Sequence, residues 1–259
     1  VGRSALEANT TGVENVAIGH SALDENTTGG GNVAMGYKAL RLNTTAANNV
    51  AIGATTLYDN TTGANNVAIG KSSLANNTTA NNNTAVGYQS LNANTTASNN
   101  TALGYAALIA NTTGADNVAI GKDSMDTNTT GSHNTSVGVD SLQNNSTGSY
   151  NTAIGKNSLA TNNGDNNTAI GYNSLLDNTT GAGNTSMGAS SLDANTTGGS
   201  NVAVGKNALS ANTTASNNTA VGTNALIVNT TGTDNNAFGR NTLDANTTGS
   251  YNTGLGSIV

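Results

Sequence analysis

A strict period of seventeen residues governs this chain and constrains its fold more than any other feature. A glycine marks the period from Gly2 to Gly155, and after one step of sixteen residues the period resumes from Gly171 to Gly256. The unit reads N-[VT]-A-[IV]-G-x-x-[SA]-L-x-x-N-T-T-G-x-x and occurs in fifteen copies. A short fixed period predicts a stack of similar units, in which each unit contacts only its neighbours.

The composition disfavours several classes of protein. Only 35% of the residues are hydrophobic, with one phenylalanine and no tryptophan, cysteine or proline, so a conventional globular core is not expected. A net charge of −6 gives no support for nucleic-acid binding, which needs a basic face. The sequence has neither a long apolar run nor a signal peptide, and we therefore expect no membrane contact within this segment.

Disorder is the alternative for a chain so rich in Asn, Thr and Gly, but the register of the repeat argues against it. Asn stands four residues before the glycine in every copy, as at Asn15, and seven residues after it, as at Asn26. Leu stands four residues after the glycine in every copy except at Met125. A disordered tract has no reason to keep this phase.

The period predicts an all-β fold, a β-solenoid or β-roll of fifteen coils. It is too short for a repeat of two helices, and it suits one turn with two short strands and two tight corners. The first strand, N-[VT]-A-I, ends at the glycine, where the corner needs positive φ or close backbone approach. The second strand is S-L-x-x-N-T-T. With a rise of about 4.8 Å per coil, residues 1–259 would form one elongated rod of roughly 70 Å, a segment of a longer fibre protein.

Side-chain alternation along the first strand predicts which rows lie inside the coil. We expect the large apolar row, with Ile69, and the leucine row, with Leu74, to fill the interior. The alanine row, with Ala68, Ala102 and Ala153, is restricted to small residues. We expect it to face, or lie beside, an interface with identical chains around a threefold axis, because a core this thin gains from a partner.

The two asparagine rows predict two hydrogen-bonded ladders along the stack, a stabiliser of stacked β structure. The one sixteen-residue copy, from Lys156, has lost a residue of its Asn-Thr-Thr segment. We expect the deletion to be absorbed locally near Asn163 and Gly164, since the later register is unchanged.

The sequence offers no constellation for catalysis, a metal or a cofactor, and we expect no enzyme. The two histidines, His20 and His133, lie many coils apart and cannot share a metal ion. The acidic residues do not follow the spacing of calcium-binding repeats.

The position directly after each glycine concentrates Tyr and basic residues. Acids prefer a corner five or six residues after the glycine, as at Asp59, Asp177 and Asp193. The row can serve solubility alone, or it can bind a glycan or a cell-surface receptor through stacking and charge. The candidate surface-binding residues are Tyr37, Lys71, Tyr88, Tyr105, Lys122, Lys156, Tyr172, Lys206 and Arg240.

The Asn-Thr-Thr segment supplies Asn-x-Thr acceptors in fourteen copies, such as Asn26 with Thr28. In a eukaryotic secreted protein these would be glycosylated. In a bacterial or phage protein, which we prefer, they indicate only threonine-rich packing.

The core N-x-A-[IV]-G-x-x-[SA] resembles the repeat of trimeric autotransporter adhesin heads, the YadA-like left-handed β-roll, from Ala5 to Gly256. The phrase N-T-T-G-x-x-N-T-A-I-G also resembles repeats of phage tail fibres and related surface fibres. Leu-x-x-Asn-Thr-Thr makes a longer second limb than in the adhesin heads. The resemblance implies a left-handed homotrimeric rod, extracellular or on a cell or virion surface, whose role is adhesion or reach.

A second resemblance belongs to a different functional class. N-x-A-x-G is similar to the N-x-V-x-G repeat of some ice-binding β-rolls. Rows of Asn and Thr, about 6.7 Å apart along the strand and 4.8 Å apart between coils, would suit an ice-like lattice. Thermal hysteresis distinguishes this alternative from a fibre.

Overall fold

The computed structural model describes residues 1–258, which form a β-solenoid with no helix among them. The chain divides into two compact units, Val1–Gly131 and Ser132–Val259. Each unit is a series of coils, and each coil carries one strand of three residues. The predicted all-β solenoid of seventeen-residue coils is therefore confirmed.

Seven strands belong to the first unit and eight to the second. The first unit contains β1 (Val16–Ile18), β2 (Val33–Met35), β3 (Val50–Ile52), β4 (Val67–Ile69), β5 (Thr84–Val86), β6 (Thr101–Leu103) and β7 (Val118–Ile120). The second unit contains β8 (Thr135–Val137), β9 (Thr152–Ile154), β10 (Thr168–Ile170), β11 (Thr185–Met187), β12 (Val202–Val204), β13 (Thr219–Val221), β14 (Asn236–Phe238) and β15 (Thr253–Leu255). Within each unit, consecutive strands pair in parallel in chain order.

The strand register follows the sequence repeat without a slip. Between β3 and β4, Ala51 pairs with Ala68, so each residue lies beside its own equivalent in the next coil. The corner glycine after each strand makes this stacking possible. Gly53 has φ 134°, and a Cβ on it would lie 2.7 Å from the carbonyl oxygen of Gly70. Both predicted reasons for the glycine, positive φ and close backbone approach, apply there.

The predicted second strand is absent, because the limb after the glycine is a run of turns. Its second and fourth residues have left-handed backbone angles, with φ 53° at Lys38 and 51° at Leu40, which an extended strand excludes. The limb is nevertheless hydrogen-bonded from coil to coil. The Leu40 amide donates to Thr56 at 2.9 Å, and the Leu42 amide donates to Tyr58 at 3.1 Å.

The alanine row lies inside the coil, and the prediction that it faces identical chains is wrong. Ala68, Ala102 and Ala153 have no exposed surface within a single chain. The row packs against the limb that carries the leucines. In β15, where Gly254 takes the alanine position, a Cβ would come within 3.0 Å of Cγ of Leu243. The interior has room for one leucine per coil and for only a small side chain opposite it.

The large apolar row points outward, so the prediction that it fills the interior is also wrong. Ile69 is 37% exposed, whereas Leu74 is fully buried, as predicted. Because successive side chains of a strand alternate, the inward position of Ala68 forces Val67 and Ile69 to the outside. Each buried leucine contributes about 1.5–3 kcal/mol, so the rest of the stability must come from elsewhere.

The two predicted asparagine ladders are present and buried. In the ladder seven residues after the glycine, the Asn43 side-chain amide donates to Asn26 Oδ1 at 2.8 Å, and Asn60 donates to Asn43 at 3.0 Å. In the ladder four residues before the glycine, it is the backbone amide that donates, from Asn49 to Asn32 Oδ1 at 3.0 Å. Both ladders thereby link each coil to the next.

The sixteen-residue coil keeps the strand register, as predicted, since Thr152 pairs with Thr168. The deletion lies between Asn162 and Gly164. There the Asn163 side chain replaces a missing backbone carbonyl, and its Oδ1 accepts a hydrogen bond from the Ser146 amide at 2.8 Å. The irregularity is therefore absorbed within one limb of one coil.

Candidate functional site

The outward face of the strands is an uncharged surface that repeats in every described coil. We call it the outer strip: the side chains one and three residues before each corner glycine. Its members are half-buried or exposed in every coil, and none is charged. In the first unit they are Val16, Ile18, Val33, Met35, Val50, Ile52, Val67, Ile69, Thr84, Val86, Thr101, Leu103, Val118 and Ile120. In the second unit they are Thr135, Val137, Thr152, Ile154, Thr168, Ile170, Thr185, Met187, Val202, Val204, Thr219, Val221, Asn236, Phe238, Thr253 and Leu255.

Large side chains of the outer strip are exposed to a degree that is unusual for a parallel sheet. Leu103 is 44% exposed, Ile154 39% and Phe238 41%. Parallel sheets occur almost only with both faces covered. Here the alanine-bearing face is covered by the limb of turns, and the outer strip has no cover within its own unit.

All nine predicted surface-binding residues occupy the same exposed position of their coils, directly after the corner glycine. In the first unit, Lys71, Tyr88, Tyr105 and Lys122 follow one another in four consecutive coils, and Tyr37 lies nearer the N-terminus. In the second unit, Lys156 and Tyr172 are in consecutive coils, whereas Lys206 and Arg240 are separated by a coil that carries Thr223 at this position.

This row contains two aromatic pairs, and within each pair the two rings stack. The ring centroids of Tyr88 and Tyr105 are 5.4 Å apart with an interplanar angle of 15°, and those of His20 and Tyr37 are 5.5 Å apart at 27°. The Lys38 ammonium lies 5.1 Å from the Tyr37 ring centroid. In a stacked pair, one face of each ring is covered by the ring of the neighbouring coil. A ligand can therefore contact only the ring edges, the hydroxyls and the outer faces.

A third aromatic pair lies in a row that the sequence reasoning missed. His133 and Tyr150 stack at 4.9 Å and 11°, five residues before their corner glycines. This row mixes Asn, Asp, Ser and Gly, so no composition signal marks it. The signal that could have found the pair is the separation of one period between two ring-bearing residues.

The acidic corner contains the principal charge network of the first unit. Arg41 Nε lies 3.6 Å from Asp24 Oδ2, and Arg41 Nη2 lies 3.6 Å from Glu25 Oε1. Arg41 Nη1 donates to the Tyr58 hydroxyl at 2.8 Å, and this hydrogen bond is the main reason that the pKa of Arg41 is raised. Burial raises the pKa of the Asp59 carboxyl.

Burial also raises the pKa of Asp193 in the second unit, and the charge of Asp177 in the preceding coil adds to the increase. These acids lie singly or in pairs. Among residues 1–258 no group of three His, Asp or Glu side chains could hold a metal ion, and no pocket is formed. No helix in the same range is long and apolar enough to cross a membrane.

Burial decides which asparagines are accessible to any partner. Asn26, Asn43 and their equivalents through Asn229 are buried and use their amide hydrogens in the ladder, so the acceptors at these positions are closed to glycosylation in the folded chain. Asn9 and Asn246, at the ends of the row, are half-buried. Because both Asn rows are buried, neither can form part of the ice-like lattice expected from the sequence. Exposed Asn-x-Thr and Asn-x-Ser sites do exist elsewhere, and the sequence reasoning missed them: Asn76, Asn82, Asn99, Asn144, Asn166 and Asn217.

Comparison with protein-family models, with curated proteins and with solved structures gives no match to this chain.

Proposed function

We propose that this chain is a non-enzymatic segment of a structural and adhesive fibre, which associates with identical chains through the outer strip. The observation that carries the proposal is the uncovered outer face of a parallel sheet in each unit. The strip is uncharged, repeats at every coil and rests on an interior that is rigid and hydrogen-bonded. A second copy in parallel offers a strip with the same spacing, so the two match coil by coil.

Burial of the outer strip supplies the energy for association. Each coil places one large apolar side chain on the strip together with one Val or Thr, which β14 replaces with Asn236. Removing apolar surface from water contributes about 25 cal/mol per Å². The contribution of one coil is small, but it repeats along the array. We propose a homotrimer, the state that the resemblance to adhesin heads implies, displayed outside the cell or on a virion.

The proposed attachment surface is the row of residues that directly follow the corner glycines. It remains accessible beside the outer strip, and in the first unit it presents Lys71, Tyr88, Tyr105 and Lys122 in consecutive coils. Phenolic hydroxyls flanked by ammonium groups favour a glycan or an acidic cell-surface receptor. Immobilised neutral and acidic glycans test this role. Tyr105→Ser with Lys122→Ser should lower binding, and the same variants binding as well as the unmodified chain would contradict it.

Charged substitutions on two sides of the same coils test the assembly. Ile69→Lys with Leu103→Lys places charges on the outer strip, where burial without a partner charge is costly. Thr79→Lys with Thr113→Lys is the matched control, because these threonines are exposed in the same two coils but lie away from the strand. Size-exclusion chromatography should show smaller particles only for the first pair, with unchanged circular dichroism for both.

Ice binding is the alternative function, and one exposed row still favours it. The second threonine of the Asn-Thr-Thr segment is exposed in successive coils, as at Thr28, Thr45 and Thr62. A single exposed row of threonines matches an ice lattice less completely than the two rows expected from the sequence. Thermal hysteresis at micromolar protein would support this alternative against a fibre, and its absence would leave the fibre proposal as the better account.

A further inference from the structure

We infer that Asn163 is a site of spontaneous deamidation, at which the folded chain modifies itself without an enzyme. Asn163-Gly164 is the only Asn-Gly pair in the sequence. Asparagine is a chemically labile residue, and a following glycine leaves its own backbone nitrogen unhindered for attack on the side chain. The inference is independent of the proposed function, since it concerns the one coil that departs from the repeat.

The surroundings of the Asn163 carboxamide favour this reaction in the folded state. Its Oδ1 accepts hydrogen bonds from the Ser146 amide and the Ser146 hydroxyl, both at 2.8 Å, and from the Thr147 amide at 3.3 Å. Three donors on one carbonyl oxygen polarise the carbonyl carbon. They also stabilise the negative charge that develops on this oxygen in a tetrahedral intermediate.

The position of Asn163 separates it from the ladder asparagines. Asn163 is exposed to water, whereas its neighbour Asn162 is buried in the ladder and donates to Asn145 Oδ1 at 3.2 Å. The backbone N–H of Gly164 donates to Asn162 Oδ1 at 3.1 Å. The polarised carboxamide of Asn163 is therefore exposed to water, whereas the Gly164 nitrogen is buried and must release Asn162 Oδ1 before it can attack.

The reaction needs water as its only co-reactant. Once its hydrogen bond to Asn162 Oδ1 has opened, the Gly164 backbone nitrogen loses its proton to solvent and forms a bond to Cγ of Asn163. The bond from Cγ to Nδ2 then breaks, and Nδ2 takes a proton and leaves as ammonia, which leaves a succinimide. Water adds to one of the two ring carbonyls and opens the ring, which gives aspartate or isoaspartate at position 163.

The two products differ in what they do to the coil. An aspartate at position 163 keeps an oxygen in front of the same three donors, and a charged acceptor makes these hydrogen bonds stronger. An isoaspartate inserts one methylene into the main chain of the coil that is one residue short. Either product makes the net charge one unit more negative than −6.

Peptide mapping by mass spectrometry tests the inference on the full, folded chain in mildly alkaline buffer. Aspartate and isoaspartate should accumulate at Asn163 at least several-fold faster than at Asn48, Asn65 and Asn217. These three are exposed and followed by asparagine, so they are internal controls. Equal rates at all four positions, or no conversion at Asn163, would overturn the inference.

Two single substitutions separate the folded geometry from the Asn-Gly sequence. Ser146→Ala removes the hydroxyl donor and should slow the conversion several-fold. Thr147→Ala keeps the donor, which is a backbone amide, and should leave the rate unchanged. Circular dichroism establishes that both variants are folded. A Ser146→Ala chain that deamidates as fast as the unmodified chain would overturn the part assigned to the hydrogen bonds.

Discussion

The side-chain amides of Asn32 and Asn43 donate to the same oxygen, the carbonyl of Ala46, at 2.9 and 3.0 Å. The two residues belong to different ladders, so this carbonyl ties the ladders together. The arrangement repeats one coil later, where Asn49 and Asn60 both donate to Gly63 at 2.9 Å. Buried polar groups that are all satisfied stabilise and rigidify a structure, which explains how a chain with one leucine per coil holds its fold.

The shared carbonyl predicts that coils inside the first unit, which have a neighbour on each side, are sensitive to loss of a ladder asparagine. Asn43→Ala removes the donor to Asn26 Oδ1 and one of the two acceptors of the Asn60 side-chain amide, both of them buried. We expect a loss of about 1–3 kcal/mol of unfolding free energy, measured by urea denaturation. Asn9→Ala, in the half-buried first coil, is the matched control and should cost less. Equal losses would contradict the importance of ladder continuity.

The reversal of inside and outside predicts opposite results for two neighbouring residues. Ala68→Gln should destabilise the chain by several kcal/mol in any oligomeric state, because the interior has no space for a longer or polar side chain. Ile69→Gln should leave the coil folded and weaken only association. Thermal unfolding followed by circular dichroism, with particle size measured in parallel, compares the two. A folded Ala68→Gln chain would refute the assignment of the alanine row to the interior.

The raised pKa of Asp193 predicts that removing the charge of this side chain increases the stability of the fold in a pH-dependent way. The ordinary value of 3.8 applies to the unfolded chain, and between it and the raised pKa the folded state binds more protons. Stability therefore falls as the pH rises through this window and stays lower above it. Asp193→Asn should raise the melting temperature at pH 7 and have no such effect below pH 3.8. A gain of the same size at both pH values would show a cause other than charge.

The stacked pair in the surface row predicts a stability contribution that a lone tyrosine lacks. Tyr88→Ser removes a ring that stacks on Tyr105 and should cost about 0.5–1.5 kcal/mol. Tyr172→Ser is the control, since it is exposed in the same position and the described residues place no ring against it. Urea denaturation of both variants measures the difference. No difference would mean that the stacking adds nothing to the fold.

The sequence predicts the fold class because every coil repeats the same few constraints. The positive φ at Gly53, the buried Leu74 and the ladder through Asn43 can each be inferred from register alone. It is harder to infer which of the two restricted rows, the alanine row or the row of Ile69, lies inside the coil. The alanine row is restricted in size, which is typical of a tight interior. The row of Ile69 is restricted in polarity but varies in size, as an outer face allows.

The second limb could not be predicted because its backbone contradicts the preferences of its residues. Leu40 and Thr55 adopt left-handed φ of 51° and 53°, a region that leucine and threonine rarely occupy. The hydrogen bonds between coils impose this conformation, and a single copy of the repeat does not contain them. The stacked pair of His133 and Tyr150 could not be predicted for a related reason, since only stacking of the coils brings the two rings together.

Light scattering on the unmodified chain measures directly whether the outer strip associates identical chains. We expect a monodisperse particle of three times the chain mass of 25.5 kDa. The particle should persist in high salt, because the strip carries no charge to be screened. A monodisperse particle of 25.5 kDa at the same concentration would contradict this association.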